Sequence, residues 1–355
     1  MKSKIKSTPV VLLAALMLLV SCQSKDVIKG KYQSGVLVAN EGGFGSSNGD
    51  VTFYNNSSSS LQQAIFKAVN GSFPGDVLES VTVSGDAGYL VLNGSNKIEV
   101  IDNNTFQRTA TWTDVRLISP RYIQIINGKA YVSVWGSYDA NFSLIDSYVL
   151  VFDPKTSAVV AGIDTDEGTE NLLFNGQYLF ASNYNFGSSN TVNVIDPTTN
   201  KSIEKITLYA GPGGMVTDAN NKLWVIAQGT YAGNDGKLFK INPTTFVIEQ
   251  TIELGLNPSN PDLAISPDKK SLYYYSGSSV YKIEINATTA PASSWVSNAD
   301  IVSLYSMGVD PRTGDVYLGD ALNYSSEGKV YVYGSNANLK TTFSAGINPG
   351  QFIFK

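Results

Sequence analysis

The chain runs to 355 residues, with 30 acidic against 25 basic side chains, one cysteine and no histidine. A formal charge of −5 without a basic run argues against nucleic acid or an anionic membrane surface as a partner. The lack of histidine removes the Ser-His-Asp triad and the usual zinc and copper sites, so no metal and no cofactor is expected, and catalysis would have to rest on carboxylates alone.

Lys2, Lys4 and Lys6 precede an uncharged apolar stretch from Pro9 to Val20. That length suits the core of a signal peptide and falls short of the roughly 20 residues a membrane-spanning helix needs. The stretch runs into "LLVSC", ending at Cys22, the single cysteine. It resembles a bacterial lipoprotein signal, in which cleavage after residue 21 leaves Cys22 as a lipidated first residue. A plain secretory signal beside a stray cysteine is the alternative. With Cys22 carrying lipid, the folded part has no cysteine and no disulfide. Residues 1–21 then form the signal peptide, 22–34 a tether and 35–355 the folded domain.

From residue 35 onward one unit recurs. Short apolar strands end in Asx-type turns at Asn55, Asp102, Asp153, Asp196, Asn242 and Asn286, and in a glycine turn at Gly334. Asp-Pro and Asn-Pro, as in "VFDPKT", "VIDPTT" and "KINPTT", start turns because the Asx side chain bonds its own backbone and proline pre-sets φ. Upstream of these turns stands a hairpin: an apolar strand, a small turn such as "NG" or "NN", and an alternating aromatic strand. "YIQIINGKAYVSVW" and "MVTDANNKLWVIA" are examples. Each unit therefore holds four strands in about 46 residues. "SLQQAIFKAV" near residue 60 is the one ambiguous stretch outside the signal. A four-stranded repeat of this length predicts an all-β fold, a β-propeller with four-stranded blades. A β-sandwich would not repeat its turn chemistry so regularly.

The first unit lacks its innermost strand, since only "VIKGKYQS" precedes "GVLVAN". The segment "PGQFIFK" at the C-terminus matches the inner strands of other units, such as "PRYIQII" and "PGGMVTD". Inner strands beginning near Leu78, Pro120, Thr169, Pro212, Pro261 and Tyr305, together with this C-terminal one, predict seven blades. The ring closes where the C-terminal strand joins blade one, which hides a sheet edge.

The long loops fall on one face. Those joining second and third strands, such as "NEGGFGSSNGD", "VWGSYDANFSLIDS" and "QGTYAGNDG", place Phe44, Trp135, Tyr138, Phe142, Tyr184, Phe186, Tyr231 and Tyr324 there. Loops entering the inner strands add Arg121, Tyr122, Asn260 and Tyr305. The opposite face has only tight turns such as "NGK" and "DPKT". Long loops on a rigid scaffold carry function, and mixtures of Tyr, Trp, Asn and Ser suit a large amphipathic ligand. Phe44, Arg121, Tyr122, Trp135, Tyr138, Tyr184, Tyr231, Asn260, Tyr305 and Tyr324 are therefore the expected ligand-binding set. Packing between neighbouring blades is the competing role for each aromatic. Acids are sparse and few recur at matching positions, so no catalytic residue is expected. "DTDEG" at 164–168 reads as a solvated turn, because it lacks the spaced ligands of a calcium loop. "NEGGFGSSNG" at 40–49 reads as a strand connection, because no lysine or helix follows as in a phosphate loop.

The stretches "GVLVANEGGFGSSNGDVTFYN", "SPRYIQIINGKAYVSVW" and "YSMGVDPRTGDVYLGDALNYSSEGKVYVYG…GINPGQFIFK" resemble the seven-bladed propeller lipoproteins of Bacteroidota, often labelled surface-layer or YncE-like proteins. Some members of that group are cell-surface cobalamin-binding proteins that hand corrinoid to an outer-membrane transporter. The resemblance implies a lipid anchor in the outer membrane, a corrinoid or another bulky nutrient as ligand, and a TonB-dependent transporter as partner. One departure bears on display: surface-exported members tend to carry an acidic cluster after the lipidated cysteine, and "CQSKDV" offers only Asp26 beside Lys25. Cell-surface and periplasmic orientations both remain open. A structural or protein-interaction propeller is the alternative function, and an enzyme would need several carboxylates converging near the central channel.

Overall fold

The computed structural model describes residues 30–355; the signal segment and Cys22 lie outside the described residues. Seven four-stranded antiparallel sheets form the blades of a propeller. Blades two to seven take their strands in chain order from the axis outward, with inner strands Leu78–Ser84, Pro120–Ile126, Thr169–Phe174, Pro212–Thr217, Ala264–Ile265 and Leu304–Val309. Blade one takes Val36–Asn40, Asp50–Asn55 and Ser60–Gln62 from one end of the chain and Pro349–Phe354 from the other. Val36 pairs with Phe354, Leu37 with Ile353 and Val38 with Phe352, which closes the ring as expected.

The Asx residues fix the outer hairpins as the repeat predicts. The Asp102 carboxylate accepts the backbone N–H groups of Asn104 and Thr105, and Asn242 Oδ1 those of Thr244 and Thr245. Four residues beyond the Asx, the chain turns left-handed at Phe106 (φ 66°), Ser157 (φ 60°) and Phe246 (φ 60°). A bulky residue there costs of order 1–3 kcal/mol. Phe106 offsets that by complete burial against Tyr32, and Phe246 by packing edge-on against Tyr178 and Phe180.

The core lies between blades, where aromatic pairs bridge neighbouring sheets. Trp112 of blade two stacks on Phe152 of blade three at 5.3 Å. Tyr54 of blade one stacks on Phe343 of blade seven at 4.2 Å, and Tyr317 of blade seven meets Phe352 and Phe354 of the closing strand. The ambiguous stretch near residue 60 splits into the strand Ser60–Gln62 and a short helix, Ile65–Asn70. The Asp50 carboxylate accepts the N–H groups of Phe66 and Lys67 at its start.

Tyr32 is buried between Phe53 and Phe106, and Gln33 donates to Asn104 Oδ1 in the outer turn of blade two. Residues 30–35 thus lie on the face of tight turns, opposite the long loops.

Candidate functional site

Each inner strand starts on the long-loop face, and its second residue (in blade six the residue two before Ala264) occupies an equivalent place in the ring. Taken around the axis these residues are Gly350, Glu79, Arg121, Glu170, Gly213, Asp262 and Tyr305. In blades two, three, four, five and seven the pairing register shifts just after the first strand residue. A bulge re-aims the residues beside it, and here it turns them to the axis. All seven line one cavity of about 320 Å³ at the channel mouth, with Glu41, Tyr122, Tyr184 and Tyr275 among its other walls.

Arg121 organises one side of the cavity. Its Nε and Nη2 donate to Glu170, with Nη2 to Oε1 at 2.8 Å, and its Nη1 donates to Glu79. The guanidinium lies 4.0 Å from the centre of the Trp135 ring, and Trp135 Nε1 donates to Glu170 Oε2 at 2.8 Å. Burial works against the charge on Arg121, but Glu170 and Glu79 together outweigh it and raise its pKa. Burial also pushes the Glu79 carboxyl well above the ordinary range, despite Arg121 pulling it down, with Glu41 and Glu170 adding to the rise.

The other side holds no such pairing. Burial pushes the Asp262 carboxyl up to about 6, opposed only by backbone N–H groups of Met307 and Leu263. Glu41 comes from the loop after the strand Val36–Asn40. It too is raised by burial, and it accepts the Tyr305 hydroxyl at 2.9 Å on both oxygens. Tyr275 and Asn260 both donate to the Tyr305 carbonyl, which fixes the entry of blade seven.

Among the expected ligand-binding residues, Arg121, Tyr122, Tyr184, Asn260 and Tyr305 meet in this cavity. Arg121, Tyr122 and Tyr305 stand in the inner strands rather than in the loops entering them, because pairing begins at Pro120 and Leu304. Trp135 is buried behind Arg121, with Phe186 packed edge-on against it at 4.9 Å. Tyr324 packs edge-on against Tyr305 at 5.9 Å. Tyr138 is half-exposed in its loop, while Phe44 is 90% exposed and Tyr231 entirely so. These last two stand on the rim, away from the cavity walls.

Glu41, Glu79, Glu170 and Asp262 were not in the expected set. The reading that few acids recur at matching positions is corrected here: Glu79, Glu170 and Asp262 hold the same repeat position in three blades. Aligning "LES", "PRY", "TEN", "PGG", "PDL", "LYS" and "PGQ" would have exposed that ring. Among the described residues no group of three or more acidic, histidine or cysteine side chains is arranged to hold a metal ion.

The geometry defines a seven-bladed β-propeller with a carboxylate-rich channel mouth. The chain belongs to the family described as a domain of unknown function (DUF5074), whose model matches residues 34–344. No curated protein matches it. A quinoprotein alcohol dehydrogenase-like protein from Bacteroides thetaiotaomicron has a similar fold, with a TM-score of 0.70 at 15% identity over 91% of this chain and 78% of that one. A candidate 6-phosphogluconolactonase from Bacteroides fragilis superposes with a TM-score of 0.63 at 13% identity, covering 90% of this chain and 98% of its own. Hydrazine synthase from Kuenenia stuttgartiensis gives 0.57 at 12% identity, over 76% and 87%. At these identities the likeness is one of fold.

Proposed function

We propose that the protein is a ligand-binding propeller of the cell envelope. It takes a bulky small molecule that presents hydrogen-bond donors across the long-loop face. The observation that carries this reading is the acceptor-rich cavity opening among the exposed aromatics of that face. A corrinoid, the ligand that the resemblance implies, is too large for a 320 Å³ cavity. It would lie over the mouth, with one amide-bearing arm inside and its ring against rim residues such as Tyr138 and Tyr324. The place of residues 30–35 on the opposite face supports this arrangement: a lipid on Cys22 would leave the mouth turned away from the anchoring membrane, open to ligand and to a TonB-dependent transporter.

Calorimetry with cobalamin tests the reading. Binding by the wild type should weaken by about thirtyfold or more in Tyr184→Ala and stay unchanged in Lys155→Ala on the tight-turn face. Equal effects in both variants, or no binding at all, would remove the corrinoid. Anchoring has its own test: Cys22→Ser should move the protein from the membrane fraction to the soluble one. A second reading, a propeller that docks another protein, is favoured by Phe44, Phe142 and Tyr231, each at least 87% exposed. An exposed apolar patch marks a docking surface where such residues are contiguous.

A further inference from the structure

The cavity has acceptors left open and no cation left over. Glu41, Glu79, Glu170 and Asp262 line it, and among the described residues Arg121 is the only cation in its walls. Arg121 is already committed to Glu170, Glu79 and the ring of Trp135. Glu79 is more than nine-tenths buried. Its Oε2 takes Arg121, while its Oε1 accepts no hydrogen bond among the described residues. Asp262 receives only backbone N–H groups, that of Met307 at 3.4 Å. The tyrosine hydroxyls offer little in return: those of Tyr184 and Tyr305 are held by Gln228 and Glu41. Beyond the neutral Tyr122 hydroxyl and Asn171 amide, what remains toward the cavity is carboxylate oxygen and aromatic ring. Both favour a positive group, the first by charge-assisted hydrogen bonds and the second by the ring quadrupole. An anion would meet several carboxylates and be turned away.

We propose that the channel mouth selects an organic cation, with a primary ammonium or guanidinium group seated in the cavity against Glu79 or Asp262. This rests on the reading of the cavity as a ligand site, and it names the chemistry that site prefers. The need for N–H donors separates such a ligand from a quaternary amine, which could use only the rings. Because burial raises both carboxyls, that of Asp262 to about 6, the incoming cation displaces protons. Binding therefore strengthens as pH rises through about 6, with Glu41, Glu170, Arg121, Tyr122, Tyr184, Tyr275 and Tyr305 as the other titratable groups facing the site.

The test is calorimetry of the purified protein with 1,4-diaminobutane and agmatine, beside tetramethylammonium and 1,4-butanediol, in two buffers of different ionisation enthalpy. The expected result is binding of the two amines with proton release at pH 6, and weak or no binding of the controls. Asp262→Asn and Glu79→Gln should each weaken amine binding by about tenfold. If Glu79→Gln fails to fold, Asp262→Asn decides, since it leaves the ion pairs of Arg121 intact. No heat from either amine, equal binding of butanediol, or amine binding unchanged in Asp262→Asn overturns the proposal. Cobalamin bound without any amine overturns this inference alone. Amines bound without cobalamin uphold it and remove only the corrinoid.

Discussion

Blades two to four and blades five to seven bring the same repeat position into the same cavity with opposite results. In the first group Glu79, Arg121 and Glu170 close on one another, and Trp135 clamps the assembly from behind. In the second group Gly213, Asp262 and Tyr305 do not pair. A side chain at Gly213 would bring its Cβ within 2.5 Å of the Pro261 carbonyl oxygen, so the backbone of blade six fills that place itself. Asp262 is then left facing the channel without a cation. The comparison shows how one fold position yields either a locked ion triad or an open acid, depending on whether a neighbouring blade supplies an arginine. A buried triad does not stabilise strongly in itself, since desolvation cancels most of its attraction, but removing one partner is costly.

Four experiments would break or sharpen this contrast. The largest effect should come from the ring on which both halves stand. Deleting Gly350 to Lys355 removes Phe352, Ile353 and Phe354, at about 1.5–3 kcal/mol each for full burial. That approaches the total stability of a typical domain, about 5–15 kcal/mol. Thermal unfolding should drop steeply or be lost, and an unchanged melting temperature would refute the closure.

Next comes the locked half. Arg121→Met leaves Glu79 and Glu170 buried without a counter-charge and should cost about 3–5 kcal/mol in urea unfolding at pH 7. The loss should shrink as pH falls, because burial raises the Glu79 carboxyl and protonation removes its uncompensated charge. A variant as stable as the wild type at pH 7 would mean the two halves do not differ in energy.

The open half should respond to pH in the other sense. The Asp262 carboxyl sits at about 6 in the folded protein against 3.8 ordinarily, so the folded state holds its proton more tightly between those values. Its contribution is present below pH 3.8 and is lost as pH rises through 6. Asp262→Asn, which cannot ionise, should gain on the order of 1 kcal/mol over the wild type above pH 6 and nothing at pH 3.8. A variant less stable than the wild type at pH 7 would point to a cation near Asp262. The smallest effect belongs to the rim: Tyr231→Ala should change stability by no more than about 0.5 kcal/mol, and a larger loss would show that its loop packs on the ring.

The framework was legible because strand alternation and Asx turns are local. Leu78, Pro120, Thr169 and Pro212 begin inner strands where the repeat places them. Blade six is the exception. Pairing was expected from near Pro261 and starts only at Ala264, since Pro261 has no N–H to give and Asp262 and Leu263 face the channel. The site was legible only in part, because convergence at an axis is not local. Glu79 and Glu170 are separated along the chain by two blades' worth of sequence, and nothing near either residue announces that Arg121 will stand between them. Glu41 sits in a loop whose glycines drew attention to its shape and away from its one acid. Phe44 and Tyr231 were conspicuous for the opposite reason: length and exposure of a loop can be read from composition, but the direction in which it leans cannot.

The closing strand has a further consequence, in the order in which the molecule is made. Val36–Asn40 comes early in the chain, and the segment that completes its sheet follows only after the described strands of the other six blades. Until Pro349–Phe354 docks, blade one therefore keeps a free edge of valine, leucine and alanine. No amount of local folding can cover it, since its partner follows all the other blades. Contacts of such long sequence separation also slow folding. The folding chain is thus open to mispairing with its own copies until that strand docks, and the few residues from Pro349 to Phe354 decide when that exposure ends.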